Sequence, residues 1–239
     1  MRHGGFGHNP ADALILPILC YHKVGPERDE GRWLNISPER LESHVRHFAR
    51  RGYNFLAAAD LAHDWPERAV CLTFDDAYQS MLDYGLPVLL RHRAAASIYA
   101  VPACVGGTSA WDGDRARPLA DWDSLMQAHK AGIEIGNHSM THAWLGKLDE
   151  AAQAEEIRLA DEELARRIAP PRSFCFPYGS RSPASAGVLL SAGYRVGLAV
   201  DRRPARPEDD RLALPRIVIA FSDALPKLLY KIHIRPHLP

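Results

Sequence analysis

Three short segments carry side chains suited to hydrolytic chemistry. Thr73-Phe74-Asp75-Asp76 follows the apolar run Ala69 to Leu72 and sets two carboxylates side by side at the mouth of an expected strand. Neighbouring carboxylates repel and lose hydration beside a buried sheet, so they persist where a cation or a proton compensates them. Asp76 as the cap of a following helix is an equally simple reading of that segment alone. Asn137-His138-Ser139-Met140-Thr141-His142 carries two imidazoles four apart, on one face if the segment turns helically, a spacing that suits two ligands of one metal. His233 and His237 repeat the spacing, but Pro236 interrupts any helix there, and this pair near the C-terminus reads as surface. Phe176-Pro177-Tyr178-Gly179 is a corner that fixes a turn and can aim a backbone N–H into a pocket, or is simply a turn. Together, Asp76, His138 and His142 make a two-histidine, one-carboxylate set with open positions, suited to zinc hydrolysis or non-haem iron chemistry. Asp75 is then left free beside the water, where a general base belongs. The oxygenase reading is the remoter, because its carboxylate and first histidine usually lie close together in sequence.

Elements that could hold these segments alternate along the chain. Expected strands are Leu14 to Tyr21, Ala69 to Phe74, Ala96 to Val101, Ile133 to Gly136, Phe174 to Phe176, Arg195 to Val200 and Arg216 to Ala220. Between them, a helix opens at Ser37-Pro38-Glu39, with Ser37 as N-cap, Pro38 at the first helical position, and Leu41, Val45 and Phe48 on one face. Further helical patterns cover Tyr78 to His92 (broken or kinked by Gly85 and Pro87), Trp122 to Lys130, Leu148 to Ile168, and Pro183 to Ala192. Alternation of this kind implies parallel pairing with crossover helices, hence a barrel-like α/β domain, with an open doubly wound sheet as the alternative. No linker stands out, so residues 1–239 read as one domain. All three reactive segments fall at C-terminal strand ends, where parallel α/β folds gather their chemistry. Ala103 to Pro118 and Asp201 to Asp210 read as long loops.

Composition excludes other classes. Hydrophobic residues make up 46% and charged residues 24%, as in globular proteins rather than disordered or coiled-coil chains. Lys plus Arg and Asp plus Glu both number 29, so there is no net field to hold a polyanion, and nucleic acid is not an expected partner. The N-terminal apolar run Ala13 to Cys20 contains Pro17 and is far short of the ~20 residues that span a bilayer. It also lacks the flanks of a signal peptide, so the chain reads as cytoplasmic, although one peripheral to a membrane or trimmed of an export signal would read the same. Cys20, Cys71, Cys104 and Cys175 form no C-x-x-C pair, which argues against a four-cysteine zinc site and for buried free thiols.

Thr-Phe-Asp-Asp, then His-Ser-Met-Thr-His, then Phe-Pro-Tyr-Gly, in that order, resembles the polysaccharide deacetylases, the NodB-homology enzymes of carbohydrate esterase family 4. The likeness runs from about Leu14 to Ala220, and the opening Ile-Leu-Cys-Tyr-His-Lys-Val is similar to the branch that includes poly-N-acetylglucosamine deacetylases. The resemblance implies a distorted (β/α) barrel of seven strands and removal of N-acetyl groups from an N-acetylated glycan. It implies Asp75 as catalytic base, Asp76, His138 and His142 as ligands of one divalent metal, zinc first, and a Tyr178 backbone N–H for the oxyanion. Many members carry an arginine where this chain has Cys175; Arg216 is a candidate replacement, or else forms a surface salt bridge. The family's C-terminal acid histidine has no clear match. His22, at the end of the first strand, is the better candidate for the acid, or else a structural histidine. Trp111 is the expected sugar contact, Trp122 lies near the mouth loops, and Trp144 is expected to support the metal turn from the core. Hydrolysis of a non-sugar C–N bond on the same fold and a catalytically inactive glycan-binding relative are the alternatives. A base retained beside a metal site argues against the latter.

Overall fold

The computed structural model describes residues 14–238. In chain order the elements are β1 (Ile18–Tyr21), β2 (Lys23–Val24), α1 (Glu27–Glu30), β3 (Asn35–Ile36), α2 (Pro38–Arg50), β4 (Asn54–Leu56), β5 (Ala69–Phe74), α3 (Leu86–His92), β6 (Ser97–Ala100), α4 (Trp122–Lys130), β7 (Glu134–Asn137), α5 (Glu150–Arg167), β8 (Phe174–Cys175), α6 (Ser185–Ser191), β9 (Gly197–Leu198), β10 (Ile217–Val218) and α7 (Leu225–His233). The main sheet runs β10-β1-β5-β6-β7-β8-β9, with every pair parallel. A parallel bridge between Leu198 and Leu214 joins the β9 edge to the segment entering β10, so the seven strands curl into the expected distorted barrel. Outside that path, β4 pairs with the first half of β5, and β2 with β3 forms a separate two-stranded ribbon.

The period of two along each strand separates two cores. Val70, Leu72 and Phe74 of β5 join Leu41, Val45 and Phe48 of α2 in one cluster. Ile18, Cys71, Tyr99, Cys175, Leu198 and Leu214 form another cluster, made from side chains of successive barrel strands. The same alternation carries Thr73 and Asp75 onto the face of Cys71, toward the barrel mouth. Gly136 has no substitute there, because a Cβ would lie 2.4 Å from the Tyr99 ring.

Local signals explain the helices. The Ser37 hydroxyl accepts from the Arg40 N–H at 3.4 Å, with Pro38 at the first position of α2. The Asp149 carboxylate caps α5 by accepting from Ala152 N at 2.8 Å. Where Gly85 and Pro87 were expected to break or kink the second helical pattern, the chain makes a π turn over Met81–Gly85 and runs on into α3. The expected strands Arg195 to Val200 and Arg216 to Ala220 shorten to β9 and β10. The ribbon, β4 and α7 were not anticipated. Among the described residues, no helix is long and apolar enough to cross a membrane. Of the N-terminal apolar run Ala13 to Cys20, Ala13 lies outside the described residues and the end of the run forms β1.

Candidate active site

Asp75 leaves β5 at the barrel mouth and is 4% exposed. Arg216, fully buried one residue before β10, grips it with both guanidinium nitrogens: Nη1 to Oδ1 at 2.6 Å and Nη2 to Oδ2 at 2.7 Å. The guanidinium is itself held by the Ala199 carbonyl at 3.0 Å and Thr73 Oγ1 at 2.9 Å. It is therefore a buried pair, not the surface salt bridge that was the alternative. The Cys20 and Cys175 thiols each approach Asp75 Oδ2 at 3.5 Å. Burial raises the Asp75 pKa, but the charge and hydrogen bonds of Arg216 outweigh it and hold the carboxyl below its ordinary range.

Asp76, His138 and His142 converge beside this pair, all buried. Each offers a ligand atom, and these atoms lie within 4.8 Å of one another. Asp76 Oδ1 is 3.3 Å from His138 Nε2 and 3.1 Å from His142 Nε2. His138 Nδ1 faces the Cys175 carbonyl at 2.7 Å, which can only accept, so the proton sits on Nδ1 and Nε2 presents a lone pair. Burial lowers the His142 pKa against the pull of Asp76. Asp76 Oδ1 is buried yet accepts no hydrogen bond in the described residues, and it does not cap a helix. Three potential ligand atoms thus crowd one buried space, an arrangement that a cation suits. The donor set fits a divalent metal.

The segment does not turn helically, the condition attached to the spacing; the two histidines meet on an irregular turn. Ser139 and His142 take left-handed φ of 62° and 63°. Asn137 holds the turn by accepting from Ser139 N at 2.7 Å while donating to the Ile157 carbonyl and to Asp161. From α5, Glu156 accepts from Thr141 N at 2.9 Å and Thr141 Oγ1 at 2.8 Å. Asp76, Ala77 and Tyr178 are left-handed as well, so five of the eight described non-glycine residues with positive φ line this site. Such backbone is concentrated where surrounding contacts over-determine it, commonly at functional sites.

Tyr178, φ 58°, sits in the Pro177–Gly179 turn, and its N–H has no acceptor among the described residues. Its hydroxyl meets His142 Nδ1 at 3.0 Å. His22 follows β1 and is half-buried; it brings a ring nitrogen within 4.8 Å of ligand atoms of Cys20 and Asp75. The buried Nδ1 of His22 has no hydrogen-bond partner. All seven residues singled out in the sequence therefore meet at one mouth. Trp111 stacks on His142 with ring centroids 4.0 Å apart. Trp144 departs from its expected core role: it is 47% exposed and lies flat on the Tyr178 ring, 4.0 Å away. Trp122 opens α4 and packs on the core.

The family model described as polysaccharide deacetylase matches residues 62–197, more than half the chain and every segment above except those of His22 and Arg216. The chain belongs to the polysaccharide deacetylase family. Among relatives, it is 20% identical over 210 residues to a poly-β-1,6-N-acetyl-D-glucosamine N-deacetylase of Staphylococcus aureus, covering 82% of this deacetylase and 71% of the relative. Among solved structures, the Streptococcus pyogenes deacetylase PplD, in complex with acetate, superposes with a TM-score of 0.77 at 19% identity, over 92% of this chain and 98% of that one. IcaB from Ammonifex degensii gives 0.75 at 23% identity, over 90% and 95%. At these identities the structural likeness establishes a common fold for the deacetylase.

Proposed function

We propose that this polysaccharide deacetylase hydrolyses the N-acetyl groups of an N-acetylglucosamine-containing glycan, with Asp76, His138 and His142 holding one divalent metal. The observation that carries the reading is the buried Asp76 Oδ1, without a hydrogen bond and 3.1 and 3.3 Å from two imidazole nitrogens. Two nitrogens and one oxygen favour zinc among first-row divalent ions. A metal so held supplies Lewis acidity, polarising the acetamide carbonyl and lowering the pKa of water. Asp75 takes the proton from the attacking water, and Arg216 fixes both carboxylate oxygens so that the base presents one geometry. The Tyr178 N–H, without an acceptor of its own, donates to the developing oxyanion. His22, with an unpartnered ring nitrogen near Asp75, delivers a proton to the departing sugar amine. The C–N bond breaks, acetate leaves, and the glycan keeps a free amine.

We take the described residues as one catalytic domain. The sheet order supports this, since the first and last strands of the barrel are neighbours and both border the site. The test measures metal content and acetate release from N-acetylglucosamine oligomers, before and after chelation and on return of zinc. Acetate release should vanish with the metal and return with it, and His138→Ala should lose both. Full release by the metal-free protein, or stoichiometric metal in His138→Ala, refutes the ligand assignment.

A further inference from the structure

The turn Ala110–Arg115 carries Trp111 onto His142 at one end and Arg115 into a second concavity at the other. This pocket, about 440 Å³, is lined by Lys23, Glu30, Arg32, Trp33, Arg115 and Arg117. Lys23 is the residue after His22 and is 1% exposed. Its ammonium has three protons to donate, but among the described residues it finds one hydrogen-bond acceptor, the Glu30 carbonyl at 3.2 Å. Burial lowers the Lys23 pKa, with Glu30 and Asp112 opposing. The Arg115 guanidinium lies over the exposed Trp33 ring, 5.1 Å from its centroid, and has no carboxylate partner among the described residues. Arg117 binds the Asp29 and Ala116 carbonyls, and its approach to Glu30 Oε2 is 4.0 Å. Arg32 is already paired with Glu27 at 2.6 Å. Among the lining side chains, Lys23, Arg115 and Arg117 thus face one carboxylate, Glu30, with Asp112 nearby, in a chain of zero net charge.

Glu30 refines the ligand. Its Oε2 is buried without a hydrogen-bond partner and 4.0 Å from Arg117, so the site can take an occupant that brings a donor as well as a negative charge. Trp33 offers a flat apolar face beside those charges. A pyranose bearing an anionic group satisfies all three: charge to Lys23, Arg115 and Arg117, a hydroxyl to Glu30, and a ring face to Trp33. The pocket adjoins the reaction centre in the chain, since Lys23 follows His22 and one turn carries both Arg115 and the Trp111 ring that stacks on His142. We propose that this pocket is a specificity subsite for an acidic sugar, carboxylated or phosphorylated, of the same glycan whose acetamide is cleaved at the barrel mouth.

The inference rests on the glycan reading, and its test does not need turnover. The full chain is titrated with glucose, glucuronate and glucose 6-phosphate while the Trp33 indole N–H resonance, assigned with Trp33→Phe, is followed by NMR. At least one acidic sugar should shift it with an affinity about tenfold above that of glucose. The two acidic arms distinguish carboxylate from phosphate. Arg115→Gln, at an exposed position that leaves the backbone contacts of Arg117 in place, should abolish the preference. Equal responses to all three sugars, or a preference that survives both Arg115→Gln and the Arg115→Gln/Arg117→Gln pair, overturns the proposal. Acetate release from neutral oligomers is measured separately, so failure of the deacetylase reading is recognised independently of the subsite.

Discussion

Asp75 is asked to be both buried and charged, and a single side chain makes that tolerable. Arg216 neutralises it through two short hydrogen bonds from a fully buried guanidinium. Arg216→Met should therefore cost about 3–5 kcal/mol of unfolding free energy, because it strands a buried carboxylate; urea denaturation measures it. Arg216→Lys should recover only part, since a single ammonium cannot match both oxygens. Asp75→Asn should keep its metal while acetate release falls roughly 10²–10⁴-fold, the range for losing a general base; retained activity in a metal-replete sample would exclude the base role. Asp75, Asp76, His138 and His142 were legible in the sequence because each lies in a short segment whose composition is odd for a strand end. Arg216 was legible only as a candidate, since its partner is 141 positions away and the surrounding Leu-Pro-Arg-Ile advertises no chemistry. Asn137 and Glu156, which hold the histidine turn, gave less warning still: a glutamate on the charged side of a long helix looks like any solvated residue.

The elements explain why that turn matters. Left-handed backbone at Ser139 and His142 costs on the order of 1–3 kcal/mol per residue unless neighbours enforce it. Glu156→Ala removes both bonds to Thr141 and should weaken metal affinity by roughly 10–100-fold, the range for outer-shell losses. Competition against a chelator measures this, and circular dichroism should show α5 unaltered. On α2, His44 is buried against the Tyr21 hydroxyl, 3.1 Å from its Nδ1. Burial lowers its pKa to about 4, with Asp223 opposing. Below its ordinary value of about 6.5 the unfolded chain takes up a proton that the folded chain refuses, so stability falls as pH drops through that window and is complete above it. Between pH 7 and pH 5 this histidine should account for about 2 kcal/mol of lost stability. Equilibrium unfolding of wild type and His44→Gln at the two pH values tests it, and equal slopes would refute it. The amphipathic helices were readable because their caps and apolar faces are local, whereas β4 and the β2–β3 ribbon owe their existence to partners elsewhere in the chain.

At the scale of the molecule, parallel order turns a linear alternation of strands and helices into a barrel whose loops of one kind all open on the same side. That much followed from the pattern of elements. The closure did not, because the seam between β9 and β10 is made by a single bridge through Leu214 rather than by two recognisable strands. The order of the sheet has a consequence for how the protein comes into being. β10 lies against β1, and Arg216 arrives just before it. A chain emerging from the ribosome exposes Asp75 and both histidines long before the guanidinium that offsets the acid has been translated. The barrel mouth is then completed last, and a polypeptide halted at Leu212 should carry every proposed metal ligand yet fail to release acetate or unfold cooperatively. Full turnover by that fragment would show that the late-arriving arginine is dispensable.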